Sequence, residues 1–563
     1  MKNKKRIISI TIVLAVFYSG FVSAQQWGDF TLYAMQNQTS TILANTSGTT
    51  VKTWTHATTA KTGYSAYLMP GGTLVRTVAR SGNSFTGGPI CGEVQKVDWN
   101  GNVIWDFVYS TANYCTHHDI CPMPNGNVLL IAYERKTAAE VVAAGCTSFS
   151  SESWPDKIVE IQPTGATTGI VVWEWHIWDH LVQSTNASLA NYQTSVVNHP
   201  ELINVNLMAK KDWTHMNGID YNPMLDQVSF TCHELNEIFV IDHSTTIAEA
   251  ASHSGGNSGK GGDLLFRWGK PANYGATGTT FINVCHDAHW NPEGTPHANH
   301  LAYYNNMGNT GNTSSGDIIL PPVDGYNYDL TLGTAYNPTT YSKRQASGGT
   351  NSNMGSVQEL PNGNILINMG FSGYIKEYNA AGTLLWSKTL SGANAKAFRY
   401  DSCYVFNAAP PIPAISQIGS DVVSTAGTTY QWYINGVLIN GATSQTYTPT
   451  QSGMYVVRTT NQYGCVYEYS TSLYFDVNTG VTNLSSSLNI NVYPNPSNGI
   501  LTIDASKLNG EPYQVMIYDL IGNLISNEQN ATTIDLTDVK NGMYLVSIQS
   551  KSGRTTKRIS ILK

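Results

Sequence analysis

DWTHMNGIDYNPMLDQVSFTCHELNEIFVIDHS, residues 212 to 244, sets a turn signal, Tyr221-Asn222-Pro223, between two runs of alternating apolar and polar residues, with His215 heading the first run. Alternation at period two reads as a β-hairpin with a chemical group at its entrance. The plan recurs along the chain, often with histidine at the same place. A repeated strand unit implies a ring or solenoid in which equivalent positions converge in space.

The units can be followed by their turns. YSAYLMPGGTLVRTV (64–78) leads to EVQKVDWNGNVIWDF (93–107), and THHDICPMPNGNVLLIAYE (116–134) to KIVEIQPTGATTGIVVWEW (157–175). The opening stretch leads to DLLFRWGKP (263–271), CHDAHWNPEGTPHANHLAYYNN (285–306) to DIILPP (317–322), and MGSVQELPNGNILINMG (354–370) to YIKEYNAAGTLLWSKTL (374–390). A sixth unit is assembled from the two ends: TSTILANTSGTTVKTWTH (39–56) supplies outer strands and AFRYDSCYVF (397–406) an inner one. Pairing first and last strands removes exposed edges. The expectation is an all-β chain with a six-bladed β-propeller over residues 29–407. The rivals are an open sandwich and a β-helix, which the unit length of roughly 50 to 70 residues suits less well. The inserts 188–209 and 245–251 are expected to contain helix.

Beyond the proline-rich linker AAPPIPA (408–414), residues 415–477 alternate tightly around Trp432 and Tyr455, the pattern of an immunoglobulin-like β-sandwich. Only Cys465 lies there, so the inter-sheet disulfide of such domains is missing. A Thr/Asn/Ser linker precedes a last small β-sandwich, 487–563, with an Asn-Pro-Ser-Asn-Gly turn.

Composition fits this plan. The chain has 563 residues, with 12% charged and 50 glycines, which suits an extracellular all-β protein rich in turns. A net charge of −7 gives no basic footprint for nucleic acid. Residues 1–24 read as a signal peptide: a basic start (Lys2, Lys4, Lys5, Arg6), an apolar core Ile7 to Phe21, and Val22-Ser23-Ala24 at the cleavage site. No later apolar run is long enough to span a bilayer. All eight cysteines lie in the mature chain, where oxidation is allowed, and spacing does not assign their pairing.

In a propeller the first strand of each unit lines the central axis. Those strands bring together His117 and His118, His215, His286 and His289, Met354, and Arg399 with Tyr400. Several imidazoles and a guanidinium at a channel mouth make a site for an anion, or for a metal if the imidazoles are neutral. The plainer reading makes each histidine a hydrogen-bonded strand residue. His176 and His180 flank Asp179 among tryptophans, where packing is the stronger reading, and His297 and His300 flank a solvated turn. No glycine-rich phosphate loop, GxSxG elbow or HExxH motif occurs. No cofactor is expected, and no metal ligand is assigned.

WEWHIWDHLVQ, NHPELI, DWTHMNGIDYNP, IDHSTTIAEAASHSGGNSGKGGDLLFRWG, CHDAHW and MGSVQELPNGNILI together resemble the arylsulfotransferase (aryl-sulfate sulfotransferase) family over roughly residues 30 to 406. The resemblance implies a six-bladed propeller that uses no nucleotide sulfate donor. In it a channel histidine attacks the sulfur of an aryl sulfate, becomes sulfated and passes the group to a phenol. By the same resemblance His215 and His286 contact the sulfuryl oxygens. Two features depart from the family pattern: Asn309 stands where the family has arginine, and no histidine follows His300, so the late nucleophile is missing. His117, His118 or His289 then takes its place, or the branch does not catalyse the reaction.

The last module, with YPNPSNG (493–499), MIYDLIGNLI and NGMYLVSI, resembles the type A sorting domain of the type IX secretion system of Bacteroidota. The reading is therefore a secreted or cell-surface arylsulfotransferase-like protein acting on an aryl sulfate and a phenol, with the secretion machinery as partner. The catalytic set is His215, His286, His117, His118 and His289, and Arg399 and Tyr400 bind substrate. The alternative is an inactive propeller that binds a glycan or an anionic ligand.

Overall fold

The computed structural model describes residues 26–477 and 490–563, apart from 509, 520–522 and 551–552. The expected signal peptide (1–24) and the linker at 478–487 lie outside the described residues. The chain divides into two compact units, Met1–Pro449 with Gly453–Phe475, and Thr450–Ser452 with Asp476–Lys563.

Between residues 30 and 400 the first unit contains, among the described residues, six four-stranded antiparallel sheets. Four are built from consecutive strands and begin with Lys61–Leu68, Tyr114–Pro122, Met216–Asn222 and Ser356–Glu359; a fifth begins with Cys285–Trp290 and takes its last strand, Lys343–Ala346, from beyond a small hairpin of Val323–Asp324 and Asn327–Tyr328. The remaining sheet joins the two ends of the region. Asn394–Tyr400 pairs with Phe30–Met35, Phe30 facing Tyr400 and Thr31 facing Arg399, and Ser40–Asn45 and Thr50–Thr55 complete it. Each first strand packs against the next, and the last returns to the earliest. The architecture is all-β and propeller-like, with no sheet edge left at the join.

Sequence pattern explains the layering. Val128–Glu134, VLLIAYE, is buried throughout because both faces of a second strand meet neighbouring sheets. Outer strands such as Val103–Val108 are largely open to solvent, with Trp105 the buried residue. The insert 245–251 holds the short helix Ile247–Ala250, started by a capping box in which Thr246 and Glu249 satisfy each other's backbone donors. The insert 188–209 differs from expectation: it contains 3-10 turns, Val196–Asn198 and Val205–Leu207, and no α-helix. Pro200 follows His199 there, and the residue before proline is driven out of helical backbone.

Within the first unit, residues 415–475 form two small sheets. One orders Ile415–Ile418, Asp421–Ser424 and Thr446–Tyr447; the other centres on Tyr430–Ile434 and Gly453–Thr460. Trp432 is fully buried in this part, its indole N–H donating to the Ser444 carbonyl at 2.8 Å. Cys465 is not left alone: it forms a disulfide with Cys403, at the end of the sheet region, across a sequence separation of 62. Glu293 of the sheet region also meets Tyr433 and Arg458.

The second unit pairs a three-stranded sheet, Asn491–Tyr493, Ile500–Asp504 and Thr533–Asp535, with a four-stranded one centred on Tyr513–Tyr518 and Gly542–Ser550. Leu501, Ile534, Val515, Ile517, Val546 and Ile548 fill the space between them. Among the described residues no helix is long and apolar enough to cross a membrane.

Candidate functional site

The heads and tails of the six first strands gather at opposite ends of the ring. The heads contribute His118, His215, Asn353 and Met354 to a cavity of about 390 Å³, which Gln36, Pro89, His233 and Glu234 complete. The tails contribute Met69, Pro122, Asp220, Gln358 and Tyr400 to cavities of about 310 and 450 Å³.

A buried ionic network separates the two ends. The Lys396 ammonium lies 2.5 Å from both Asp119 Oδ2 and Asp287 Oδ1, and 3.0 Å from the Tyr67 hydroxyl. Tyr67 donates to Asp119 Oδ1 at 2.7 Å, the Ile219 N–H to Asp119 Oδ2, and the Val357 N–H to Asp287 Oδ2. All six first strands thus supply one member each. Burial alone would lower the lysine pKa, but the two carboxylates outweigh it and hold the ammonium charged above its ordinary range.

In the head cavity the imidazoles form a chain. The His118 ring lies 4.5 Å from His215, His215 5.1 Å from His233, and His233 5.6 Å from His286, centre to centre. Two of the residues that bring side chains there, His118 (φ 50°) and His215 (φ 51°), have left-handed backbone, as does Met354 (φ 57°). Such geometry costs a non-glycine residue about 1–3 kcal/mol and persists only where the surroundings enforce it.

His118 ends a relay. Asp156 Oδ1 lies 2.7 Å from His117 Nε2, and His117 Nδ1 lies 2.7 Å from His118 Nδ1. His117 is held flat against Tyr133, with ring centres 3.6 Å apart and planes 9° apart. The second oxygen of Asp156 accepts from the Thr214 hydroxyl at 2.6 Å and the Met216 N–H at 2.8 Å. With Asp156 ionised the polarity of the chain has one direction. The carboxylate accepts from His117 Nε2, His117 Nδ1 accepts from His118 Nδ1, and His118 Nε2 keeps its lone pair on the ring that lines the cavity. Burial, reinforced by Asp212, pushes Asp156 up to about 8, and burial pulls His117 down to about 3. Burial and then the neighbouring imidazoles, His215 foremost, push His118 well below the ordinary histidine range, so it is neutral.

His215 has the opposite character. Its Nδ1 is 2.6 Å from Asp212 Oδ2, which also accepts from the Tyr133 hydroxyl at 2.9 Å. Burial would lower His215, but the Asp212 hydrogen bond and charge prevail and raise it, making it the cationic member of the group. His233 Nδ1 is 3.0 Å from Glu234 Oε1. A neutral nucleophilic nitrogen beside a cationic imidazole is a pairing that can attack an electrophile and hold the oxyanion that develops.

The other expected residues are distributed differently. His286 is fully buried beside the cavity with both nitrogens engaged: Nδ1 meets Asn306 Oδ1 at 2.7 Å, and Nε2 accepts from the Met354 N–H at 3.2 Å. His289 turns toward the tail cavity, its Nδ1 bonded to the Asp287 carbonyl at 2.8 Å. Tyr400 lines that same end. Arg399 is bound to Glu377 at 2.6 Å, both side chains fully buried, and lies over Trp386. Asn309 bonds Thr313 at 3.0 Å and lines neither cavity. His233, Asp156 and the Lys396 network were not singled out by sequence. The recurrent pair His118-Asp119 and His286-Asp287 was the available signal for the network, whereas His233 sits in a turn outside the repeat.

Comparison with known proteins follows the same division. The family model described as Arylsulfotransferase (ASST) matches residues 32–400, and that described as Secretion system C-terminal sorting domain matches 491–562. Among curated proteins no relative matches. Similar solved structures include a protein of unknown function from Bacteroides caccae (9% identity, 66% of this chain and 98% of that one, TM-score 0.38). A streptogramin B lyase (11%, 65% and 86%, TM-score 0.32) and a virginiamycin B lyase from Staphylococcus aureus in complex with quinupristin (11%, 71% and 94%, TM-score 0.30) are also similar. Likeness at that level carries no argument about chemistry. The sorting domain indicates export, to the medium or the cell surface, through the type IX route. Because the first family model spans more than half of the 563 residues and coincides with the ring of six sheets, the chain belongs to the arylsulfotransferase (ASST) family.

Proposed function

We propose that the six sheets are the blades of a six-bladed β-propeller over residues 29–407, carrying an Ig-like sandwich (415–477) and a sorting domain (487–563). On this reading the protein transfers a sulfuryl group from a phenolic sulfate ester to a phenol without a nucleotide donor, and His118 is the nucleophile. The observation that carries it is the Asp156–His117–His118 relay, which leaves His118 Nε2 to a cavity shared with cationic His215.

The chemistry has two steps. His118 Nε2 attacks sulfur in line with the aryl oxygen. The N–S bond forms, the S–O bond to the aryl group breaks, and the phenolate leaves and takes a proton from water or His215. An acceptor phenol then gives its proton to the deprotonated His215 or to water, its oxygen attacks sulfur, and the N–S bond breaks to restore the lone pair on His118 Nε2. On this reading cationic His215 donates to the sulfuryl oxygens, as sulfuryl transfer, like phosphoryl transfer, requires. His286 holds Met354 in position from behind.

Labelled 4-nitrophenyl sulfate supplied without acceptor should leave label on the protein, and phenol should discharge it with ping-pong kinetics. His118→Ala should lose both label and turnover. Wild-type labelling and turnover in that variant would overturn the assignment. A second reading, ligand binding without turnover, is favoured by the tail cavity, where Trp27, Tyr400, Tyr404 and Tyr467 offer aromatic faces suited to a sugar ring. Absence of label on the wild-type protein, with binding of a glycan retained, would favour that reading.

A further inference from the structure

Away from both cavities, His180, His253 and Asp263 direct one ligand atom each into a common space, all within 4.8 Å of one another. His180 Nδ1 lies 2.9 Å and His253 Nδ1 2.7 Å from the same oxygen, Asp263 Oδ1. The other nitrogen of His180, Nε2, lies 2.8 Å from the Ala250 carbonyl. A carbonyl can only accept, so Nε2 carries the hydrogen. With a single hydrogen on the ring, His180 would present its Nδ1 lone pair to a carboxylate oxygen, so a positive charge must stand between them. Either a second proton or a metal ion supplies it. A backbone carbonyl that fixes the tautomer from behind is the usual support for a metal-binding imidazole.

The surroundings are built around this contact. His180 is fully buried and stacks on Trp175, ring centres 5.4 Å apart and planes 5° apart, while the Trp175 indole N–H donates to the Gly262 carbonyl at 2.7 Å. A Cβ on Gly262 would stand 1.9 Å from the Ala250 oxygen and 2.6 Å from His180 Nε2, so only glycine lets the loop close here. His253 approaches from solvent, its side chain 63% exposed, on the Gly/Ser-rich stretch Ser252–Gly262. An exposed imidazole folded back onto a buried carboxylate acts as a clamp, and it leaves the outer side open to water.

We infer that His180, His253 and Asp263 bind a first-row divalent cation, with zinc(II) the best fit, and that the ion ties the 252–262 loop to the segment after Thr168–His176. Two imidazoles, one carboxylate and a water complete a tetrahedral zinc set, whereas calcium and magnesium prefer oxygen donors. Bonds of about 2.0–2.2 Å place tetrahedral ligands roughly 3.4 Å apart. Reaching that spacing means the exposed His253 retreating by about 0.7 Å and the Asp263 carboxylate turning by about half an ångström away from His180.

The test is titration of zinc chloride into the metal-stripped full chain by calorimetry, alongside His253→Ala, Asp263→Asn and His118→Ala. One strong site per chain is expected, with affinity reduced at least tenfold in the first two variants and unchanged in His118→Ala. Zinc should also protect the 252–262 loop from limited proteolysis in the wild type and not in His253→Ala. Because His253 is exposed, that variant should fold normally, which circular dichroism checks. The inference is overturned if the full chain takes up no stoichiometric zinc, or if His253→Ala binds as tightly as wild type. It is overturned equally if the strong site disappears with His118, which would put the ion in the head cavity.

Discussion

Asp156→Asn tests the relay without touching substrate. Asparagine keeps the shape of aspartate but replaces one acceptor oxygen by a donor. The Oδ2 side faces the Met216 N–H at 2.8 Å, which can only donate, so the amide oxygen must stay there and the amide nitrogen must face His117 Nε2. The polarity of the chain then reverses. His117 accepts at Nε2 and donates from Nδ1, and His118 carries its hydrogen on Nε2, where the attacking lone pair should be. Recovering the reactive tautomer means burying a mismatched N–H, at about 1–3 kcal/mol. Loss of the carboxylate also removes a charge-assisted bond that supports positive charge developing along the relay, about 1.5–3 kcal/mol. Together these are about 3–5 kcal/mol, or roughly 10²- to 10⁴-fold in kcat, with KM little changed. Release of 4-nitrophenol under steady-state conditions measures it. In the wild type, kcat should rise as pH increases through about 8, where Asp156 ionises, and the variant should lose that limb. A folded Asp156→Asn protein within about threefold of wild-type kcat, or with the same pH limb, would refute the argument.

Three further outcomes follow from the fold. Lys396→Met leaves Asp119 and Asp287 unpaired at the centre of the ring and should cost about 3–5 kcal/mol in urea unfolding, while adding Asp119→Asn and Asp287→Asn should restore much of it. Tryptophan fluorescence reports this region, since all but Trp432 of the 13 tryptophans precede residue 387; a single variant within about 0.5 kcal/mol of wild type would contradict the ionic role. His243 sits between Asp226 and Glu160, and although burial opposes it these carboxylates raise it to about 9. Its contribution, on the order of 3 kcal/mol, is complete below pH 6.5 and is lost as pH rises through 9, so His243→Gln should flatten stability against pH in that window. Cys465→Ser opens a bridge spanning 62 residues and should lower stability by about 4 kcal/mol, an effect that reductant should reproduce in the wild type but not add to in the variant.

The sheets were legible because their signal is local. Turns such as Pro124-Asn125-Gly126 and Pro361-Asn362-Gly363 mark hairpins directly, and alternation marks which strands face solvent. Even the pairing of Phe30–Met35 with Asn394–Tyr400 could be anticipated, since an open ring leaves two edges. Side-chain direction was not legible to the same degree. His286 and His289 sit three residues apart on one first strand, yet the ladder shifts register between them. One turns to the head of the ring and the other to the tail. A local bulge of that kind re-aims the side chains around it and leaves no mark in a single sequence. Arg399 reads from sequence as a free guanidinium, and its partner Glu377 comes from a different sheet. Cys465 looked isolated for the same reason, because Cys403 lies on the far side of the linker.

The two kinds of chemistry on the first strands depend on each other. On the proposed mechanism the attacking imidazole has to be neutral, and a buried group is kept neutral most simply by withholding water and adding positive neighbours, as His215 does for His118. The same low dielectric would make any unpaired charge near the axis expensive. Lys396 resolves this by compensating Asp119 and Asp287 in one contact, and the carboxylates in turn accept backbone donors from the strands between them. With the centre fixed, the strand heads can carry left-handed backbone at His118 and His215 without letting the ring relax. The strain therefore sits where the side chains must converge, and the ionic network one step further along the same strands is what keeps it there.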